Sequence, residues 1–157
     1  LLKGDGENLP YQTEFFDGAV SQHVTMNIEN REQFFNEAFR VLKKGAIFGF
    51  SEHGLGTKGS PIFPLPWADN EDMSFLKTPE YTKSVLKKIG FKNIEIISTG
   101  EKYISGYNSL LKKGQSNEMP TLGIHVIGGD SMIERSKNSM QSIIENRTYP
   151  FEIICNR

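Results

Sequence analysis

An α/β fold built on a largely parallel sheet is what this sequence predicts, and three observations predict it. Short apolar runs bounded by turn residues alternate with longer runs whose apolar residues recur at helical spacing. Capping residues and glycines fall at the junctions between the two kinds of run. The 157 residues make one domain's length, read as a single unit over 1–157 with enough chain to bury a core.

The elements follow in order. Leu1-Leu2 reads as the tail of a strand that ends at Gly4-Asp5. Asp17 to Gln22 is small, apolar and bounded by turns, the pattern of a buried parallel strand. Asn30 can cap the next helix, with Gln33 placed to reach back to it. That helix runs to about Lys44 with Phe34, Phe35, Ala38, Phe39, Val41 and Leu42 on its apolar face, and Lys43-Lys44-Gly45 ends it. Ala46 to Ser51 is the next buried strand.

Residues 52–76 change character: glycines and prolines come first, then Pro66-Trp67 and the acids Asp69, Glu71 and Asp72. An aperiodic stretch this long inside a compact domain is usually functional or mobile, and it is read as a substrate-side loop. Thr78-Pro79-Glu80 opens a helix whose stripe is Tyr81, Val85, Leu86 and Ile89, closed by Gly90. Phe91 to Ser98 is a strand. Tyr103, Ile104, Tyr107, Leu110 and Leu111 fit a helix ending near Gly114, with the tyrosines read as core packing. Gln115 to Pro120 reads as a linker and Leu122 to Ile127 as strand or turn. Met132 to Glu145 reads as a helix, and Phe151 to Cys155 as a last strand, running antiparallel.

Composition narrows the function classes. With 37% hydrophobic and 24% charged residues the chain has a globular, not a disordered, balance. A net charge of −1 gives a nucleic-acid partner no electrostatic support. No apolar run reaches membrane-spanning length. The single cysteine, Cys155, cannot form an internal disulfide, so a reducing, cytoplasmic setting is expected. The three histidines lack metal-site spacing, and no metal is expected.

In parallel sheets ligands bind beyond the carboxyl ends of the strands, and two such ends carry polar residues. At Gly4-Asp5-Gly6, the carboxylate can accept from an exocyclic amine such as that of adenine, or it can simply open a turn. At Ser21-Gln22-His23, the imidazole is the natural candidate for a base, or it caps the strand by hydrogen bonding. His53 is a second candidate, and His125, in a Gly-flanked apolar stretch, reads as structural. Trp67 can close over an amine-bearing or cationic acceptor, or it can pin the loop by burying one large ring.

The order Gly-Asp, Leu9-Pro10, Phe16-Asp17, capped helix, Arg40-Val41-Leu42-Lys43-Lys44-Gly45 and apolar strand resembles the second half of a class I S-adenosylmethionine-dependent methyltransferase. Ser21 to Ile28, Pro64 to Asp69 and Ser74-Phe75-Leu76 resemble a bacterial small-molecule branch, similar to sarcosine and dimethylglycine N-methyltransferases. The resemblance implies a partial Rossmann-like sheet, family strands 4-5-7-6 plus the end of strand 3, with helices on both faces. It implies that Asp5 binds the adenine amine and that Gly6 and Glu7 pass backbone beneath the base. Ser21 and Gln22 would meet the cofactor's methionine end, and His23 would serve as catalytic base. His23 would also face the substrate, with His53 and Trp67 as the substrate-side candidates that the residues themselves offer.

The family's Gly-rich turn and ribose-binding acid are not in this sequence, so the chain is read as truncated, with the N-terminal cofactor half missing. Asp17–Gln22 would then be an unpaired edge strand, which usually finds a partner: a second copy of the chain or the missing half. The expected function is methyl transfer from S-adenosylmethionine to a small molecule by the parent protein. The alternative is a non-catalytic binding or self-association module. A nicotinamide-binding half is disfavoured, because no second Gly-rich fingerprint occurs.

Overall fold

The computed structural model describes residues 3–115, 122, 126 and 129–157. Its strands are β1 (Phe16–Gln22), β2 (Leu42–Leu55), β3 (Lys92–Ser98) and β4 (Thr148–Asn156). Its longer helices are α1 (Arg31–Val41), α2 (Pro79–Ile89), α3 (Gly100–Gln115) and α4 (Met132–Ile144). The sheet order is β1-β2-β4-β3, with β1 parallel to β2 and β4 antiparallel to both its neighbours. This is the expected 4-5-7-6 arrangement with its reversed last strand. The stub read at Leu1-Leu2, the span from 116 to 121 and His125 lie outside the described residues.

Register assigns the two sheet faces. Phe48 opposite Cys155, Phe50 opposite Ile153 and Glu52 opposite Phe151 put alternate residues of β2 and β4 on one face. There α1 and α2 close the core with Phe35, Ala38, Val85 and Leu86. Those helices form where the sequence places their caps: the Asn30 side chain accepts from Gln33 N–H, and Thr78 Oγ1 accepts from Tyr81 N–H. Gln33 does not reach back to Asn30; its amide donates to Glu7 O instead. Tyr81, expected in the buried stripe of α2, points outward, and Thr82 takes the inner position.

Three expectations about the strands need correction. First, α1 ends at Val41 and not at Lys44, passing directly into β2. Gly45, at φ +79°, sits in an irregular stretch where the register against β1 shifts. Second, β2 continues through Leu55, paired with β4 as far as Leu55–Thr148, so the aperiodic segment starts at Gly56 and not at residue 52. Third, β1 is parallel but lacks the burial that its residue pattern suggests, and is instead the open edge that the truncated reading expects. Among the described residues it is hydrogen-bonded on one side only, and Val20 is 78% exposed. On that same sheet face Ile47 and Ile154 are also exposed.

The deepest polar feature is an ion pair. Arg31 Nη1 lies 3.1 Å from Glu52 Oε1, and both side chains are almost fully buried. Glu52 also accepts from Thr25 Oγ1, while Arg31 donates to Thr82 Oγ1 at 3.0 Å, Thr25 O at 3.2 Å and Phe75 O at 3.1 Å. Burial raises the Glu52 carboxyl, and Arg31 with the two threonine hydroxyls pulls it back. Removing one partner strands the other charge. Arg31→Met is therefore expected to cost about 3–5 kcal/mol in urea unfolding, with much of it regained by adding Glu52→Leu. A single-variant loss below about 1 kcal/mol would show that the pair does not hold the fold.

Candidate functional site

Two groups of predicted residues come together at the carboxyl ends of β1 and β2. The first is the strap of residues 5–11, laid along α1. Arg40 donates to Tyr11 O (2.7 Å) and Leu9 O (3.0 Å), and Glu37 accepts from Leu9 N–H at 2.8 Å. The Arg40 guanidinium holds the Glu37 carboxyl below the usual carboxylate range. Gly6 lies against Phe34, where a Cβ would come within 2.8 Å of the ring, so this close approach needs glycine. Asp5 is exposed; its Oδ1 accepts from Glu7 N–H (2.9 Å), and its carbonyl accepts from Asn8 N–H (3.1 Å). That is turn geometry. Between strap, α1 and β1 lies a mostly apolar slot of about 330 Å³, bordered by Gly6, Leu9, Ser21, Gln22, Val24 and Phe34. Gly6, Ser21 and Gln22 thus share one cavity, while Asp5 and Glu7 stay on the strap outside it.

The second group is aromatic. His23 follows β1 with its N–H on Ser51 O at 2.9 Å and its backbone in the left-handed region at φ +54°. A non-glycine residue held there is a strained position of the kind found at functional sites. His53, next to Glu52, points to the opposite sheet face from it, and its ring is 5.8 Å from that of His23. Trp67 lies tilted against His53 at 4.6 Å, and Tyr103 meets it edge-on at 4.8 Å. The Tyr103 hydroxyl is 2.8 Å from His23 Nε2. His23, His53 and Trp67 were legible from sequence. Tyr103 was not, because it enters from α3, eighty residues beyond His23, inside what reads as an ordinary core stripe.

The loop carrying Trp67 is fixed in place. Leu65 and Ala68 bridge each other, and Trp67 Nε1–H donates to Ser74 Oγ at 3.1 Å. From α4, Arg135 donates to Leu65 O (2.7 Å) and pairs with Asp69, Asn138 donates to Pro64 O (3.1 Å), and Ser142 Oγ accepts from Ile62 N–H (3.0 Å). The ring of Trp67 packs on His53 and its loop is pinned, which is the structural one of its two readings.

Burial sets the protonation states. His53 is 2% exposed, its Nδ1 has no hydrogen-bond partner, and burial, helped by nearby His23, lowers its pKa to about 3. Enclosure lowers His23 as well, although the residue as a whole is exposed. Burial, reinforced by Tyr107 and Glu152, raises Tyr103 to about 12. The cluster is therefore neutral at pH 7. A histidine near 6.5 when unfolded and near 3 when folded binds its proton only in the unfolded chain across that interval. Its contribution is intact above pH 6.5 and falls by about 1.4 kcal/mol per unit below it. Urea midpoints should drop from pH 6.5 to 4.5, and His53→Phe should flatten that slope; an equal slope in both proteins would refute it.

Comparison with known proteins agrees with this geometry. A family model described as a methyltransferase domain matches residues 1–50. The chain is 27% identical to 2-methyl-6-phytyl-1,4-hydroquinone methyltransferase 1, chloroplastic, of Oryza sativa subsp. japonica, over 98% of this chain and 44% of that protein. It is 26% identical to a sarcosine/dimethylglycine N-methyltransferase of Halorhodospira halochloris, over 85% of this chain and 47% of that one. It thus spans less than half the length of either relative. The structure resembles that of a Haemonchus contortus phosphoethanolamine N-methyltransferase 2, with a TM-score of 0.78 at 17% identity, covering 98% of this chain and 36% of that one. No helix among the described residues is long and apolar enough to cross a membrane. Motif order, the 4-5-7-6 sheet and these matches together make the chain similar to class I S-adenosylmethionine-dependent methyltransferases, with a methyltransferase domain matched over its first 50 residues.

Proposed function

We propose that this chain carries the acceptor side, and part of the cofactor side, of a site that transfers a methyl group from S-adenosylmethionine to a small molecule. The observation that carries this reading is the convergence of His23, His53, Trp67 and Tyr103 beside the slot bordered by Gly6, Ser21 and Gln22. The cofactor, when bound, supplies a methyl on an activated sulfonium. The residues present fit part of it: the slot has the apolar walls a flat base needs, and Ser21 and Gln22 add polar groups where β1 ends. Asp5 Oδ1 is taken by Glu7 N–H, which leaves Oδ2 for an exocyclic amine. Glu7 would contribute backbone only.

In-line methyl transfer needs positioning, exclusion of water and removal of one proton from the acceptor. Trp67 and His53 would form one wall for the acceptor, neutral and aromatic, which suits an amine. His23 would take the acceptor's proton. The curated relatives named above act on a phytyl hydroquinone and on sarcosine or dimethylglycine, so phenols and small amines are the acceptors to try. A free, buried Cys155 accords with a reducing, cytoplasmic setting. Neither a nucleic acid nor a membrane enters this reading.

A second reading rests on the open edge of β1, with Val20 exposed beside Ile47 and Ile154. It makes this chain a pairing module, joined to another copy or to a cofactor-binding half. The 157 residues alone are expected to self-associate as concentration rises, and Val20→Lys should restore the monomer. Light scattering that shows a monomer throughout for the unmodified chain would rule this out.

The methyl-transfer reading is tested with the full protein that contains this chain. S-adenosylmethionine should bind it measurably by calorimetry, and the 157 residues alone weakly or not at all. Asp5→Ala in the full protein should weaken binding by about 1–3 kcal/mol, the cost of leaving a buried donor unpaired. Unchanged affinity would make Asp5 a turn residue only, and absence of labelled product with amines and phenols would overturn the activity.

A further inference from the structure

We propose that Tyr103 is a catalytic partner of His23: its hydroxyl donates to Nε2, holds the ring's own proton on Nδ1, and makes Tyr103 Oη the atom through which an acceptor's proton reaches the imidazole. The geometry supplies the argument. The Oη–Nε2 separation is 2.8 Å, within the range of a strong hydrogen bond. A phenol is a good donor and a poor acceptor, whereas an unprotonated imidazole nitrogen is a good acceptor. Of the two ways to place one proton between these atoms, O–H to nitrogen is favoured. His23 then carries its proton on Nδ1.

Both rings are held for the task. The left-handed backbone at His23, locked by its N–H on Ser51 O, aims the imidazole toward α3. Tyr103 packs edge-on against both His23 and His53, at 5.8 and 4.8 Å. The other ionisable groups nearby are His53, Tyr107 and Glu152, and none of them bonds Nε2. Enclosure keeps His23 neutral and Tyr103 protonated, as the arrangement requires.

The consequence for catalysis rests on the methyl-transfer reading. With its Nε2 lone pair engaged, His23 cannot take a proton directly at that atom. The acceptor's X–H bond breaks as its proton passes to Tyr103 Oη, and the Oη proton passes to His23 Nε2. The electron pair left on X forms the new bond to the methyl carbon as the sulfonium–carbon bond breaks. Tyr103 ends as it began, and His23 ends as imidazolium.

Histidine-labelled protein and long-range proton–nitrogen NMR at pH 7.5 test the first part without any assay of activity. The expected result is a His23 ring protonated at Nδ1 and unprotonated at Nε2, shifting in Tyr103→Phe toward the Nε2–H form preferred in water. Protonation at Nε2 in the unmodified chain, or an unchanged tautomer in Tyr103→Phe, would overturn the proposal. The unmodified chain decides the matter even if the variant misfolds, and His53 signals report on folding. In the full protein, Tyr103→Phe should lower kcat about 100-fold with KM little changed. A retained kcat would refute the relay. Full protein that transfers no methyl at all would refute the activity and leave the tautomer result standing.

Discussion

The buried pair of Arg31 and Glu52 is the constraint on which the histidine-bearing end of this molecule depends. Two charges out of water need partners, and the groups that engage them come from five places in the chain, although Arg31 Nε is left without one. Thr25 brings the segment after His23, Arg31 the start of α1, and Glu52 the end of β2. Phe75 brings the loop after Trp67, and Thr82 brings α2. Both histidines are therefore anchored close to this network. His23 is two residues from Thr25, and His53 is next to Glu52. Alternation along β2 then sends Glu52 to the core face and His53 to the site face. One polar knot aims both histidines.

The apolar end of the site obeys a different logic. His53 is buried with Nδ1 unbonded, so its neutrality is imposed by its surroundings and costs stability that the core must offset. Trp67 supplies one side of that enclosure and Tyr103 another. The loop that delivers Trp67 is aperiodic in sequence yet ordered, because α4 spends Arg135, Asn138 and Ser142 on its backbone. Aperiodicity in residues 56–76 reflects a segment whose partners are distant in sequence, and it need not mean motion.

What the sequence disclosed divides along the same line. The strand order, the caps at Asn30 and Thr78 and the grouping of His23, His53 and Trp67 rest on local patterns or on motif order, and those could be read. Tyr103 could not, since nothing near it distinguishes a ring facing the core from one facing a histidine eighty residues away. The residue pattern of β1 suggests burial because small apolar residues suit a central strand and an edge equally well, and it was the missing first half of the motif order that pointed to an edge. The end of α1 was placed three residues late because Lys43-Lys44-Gly45 is an apt helix stop, while the chain uses the same glycine for an irregularity in β2.

That last feature bears on how such a chain can change over time. Helix α1 enters β2 with no intervening loop, and Gly45 N–H bonds Arg157 O while Arg157 N–H bonds Ala46 O, fastening the joint to the far end of the chain. A residue inserted there would rotate the helix by about 100° against the sheet or move every side chain of β2 to the opposite face. The hinge-free joint thus bars length variation at one spot. Variation in length is left to surface stretches such as residues 57–60, whose exposed positions lead into the loop that carries Trp67.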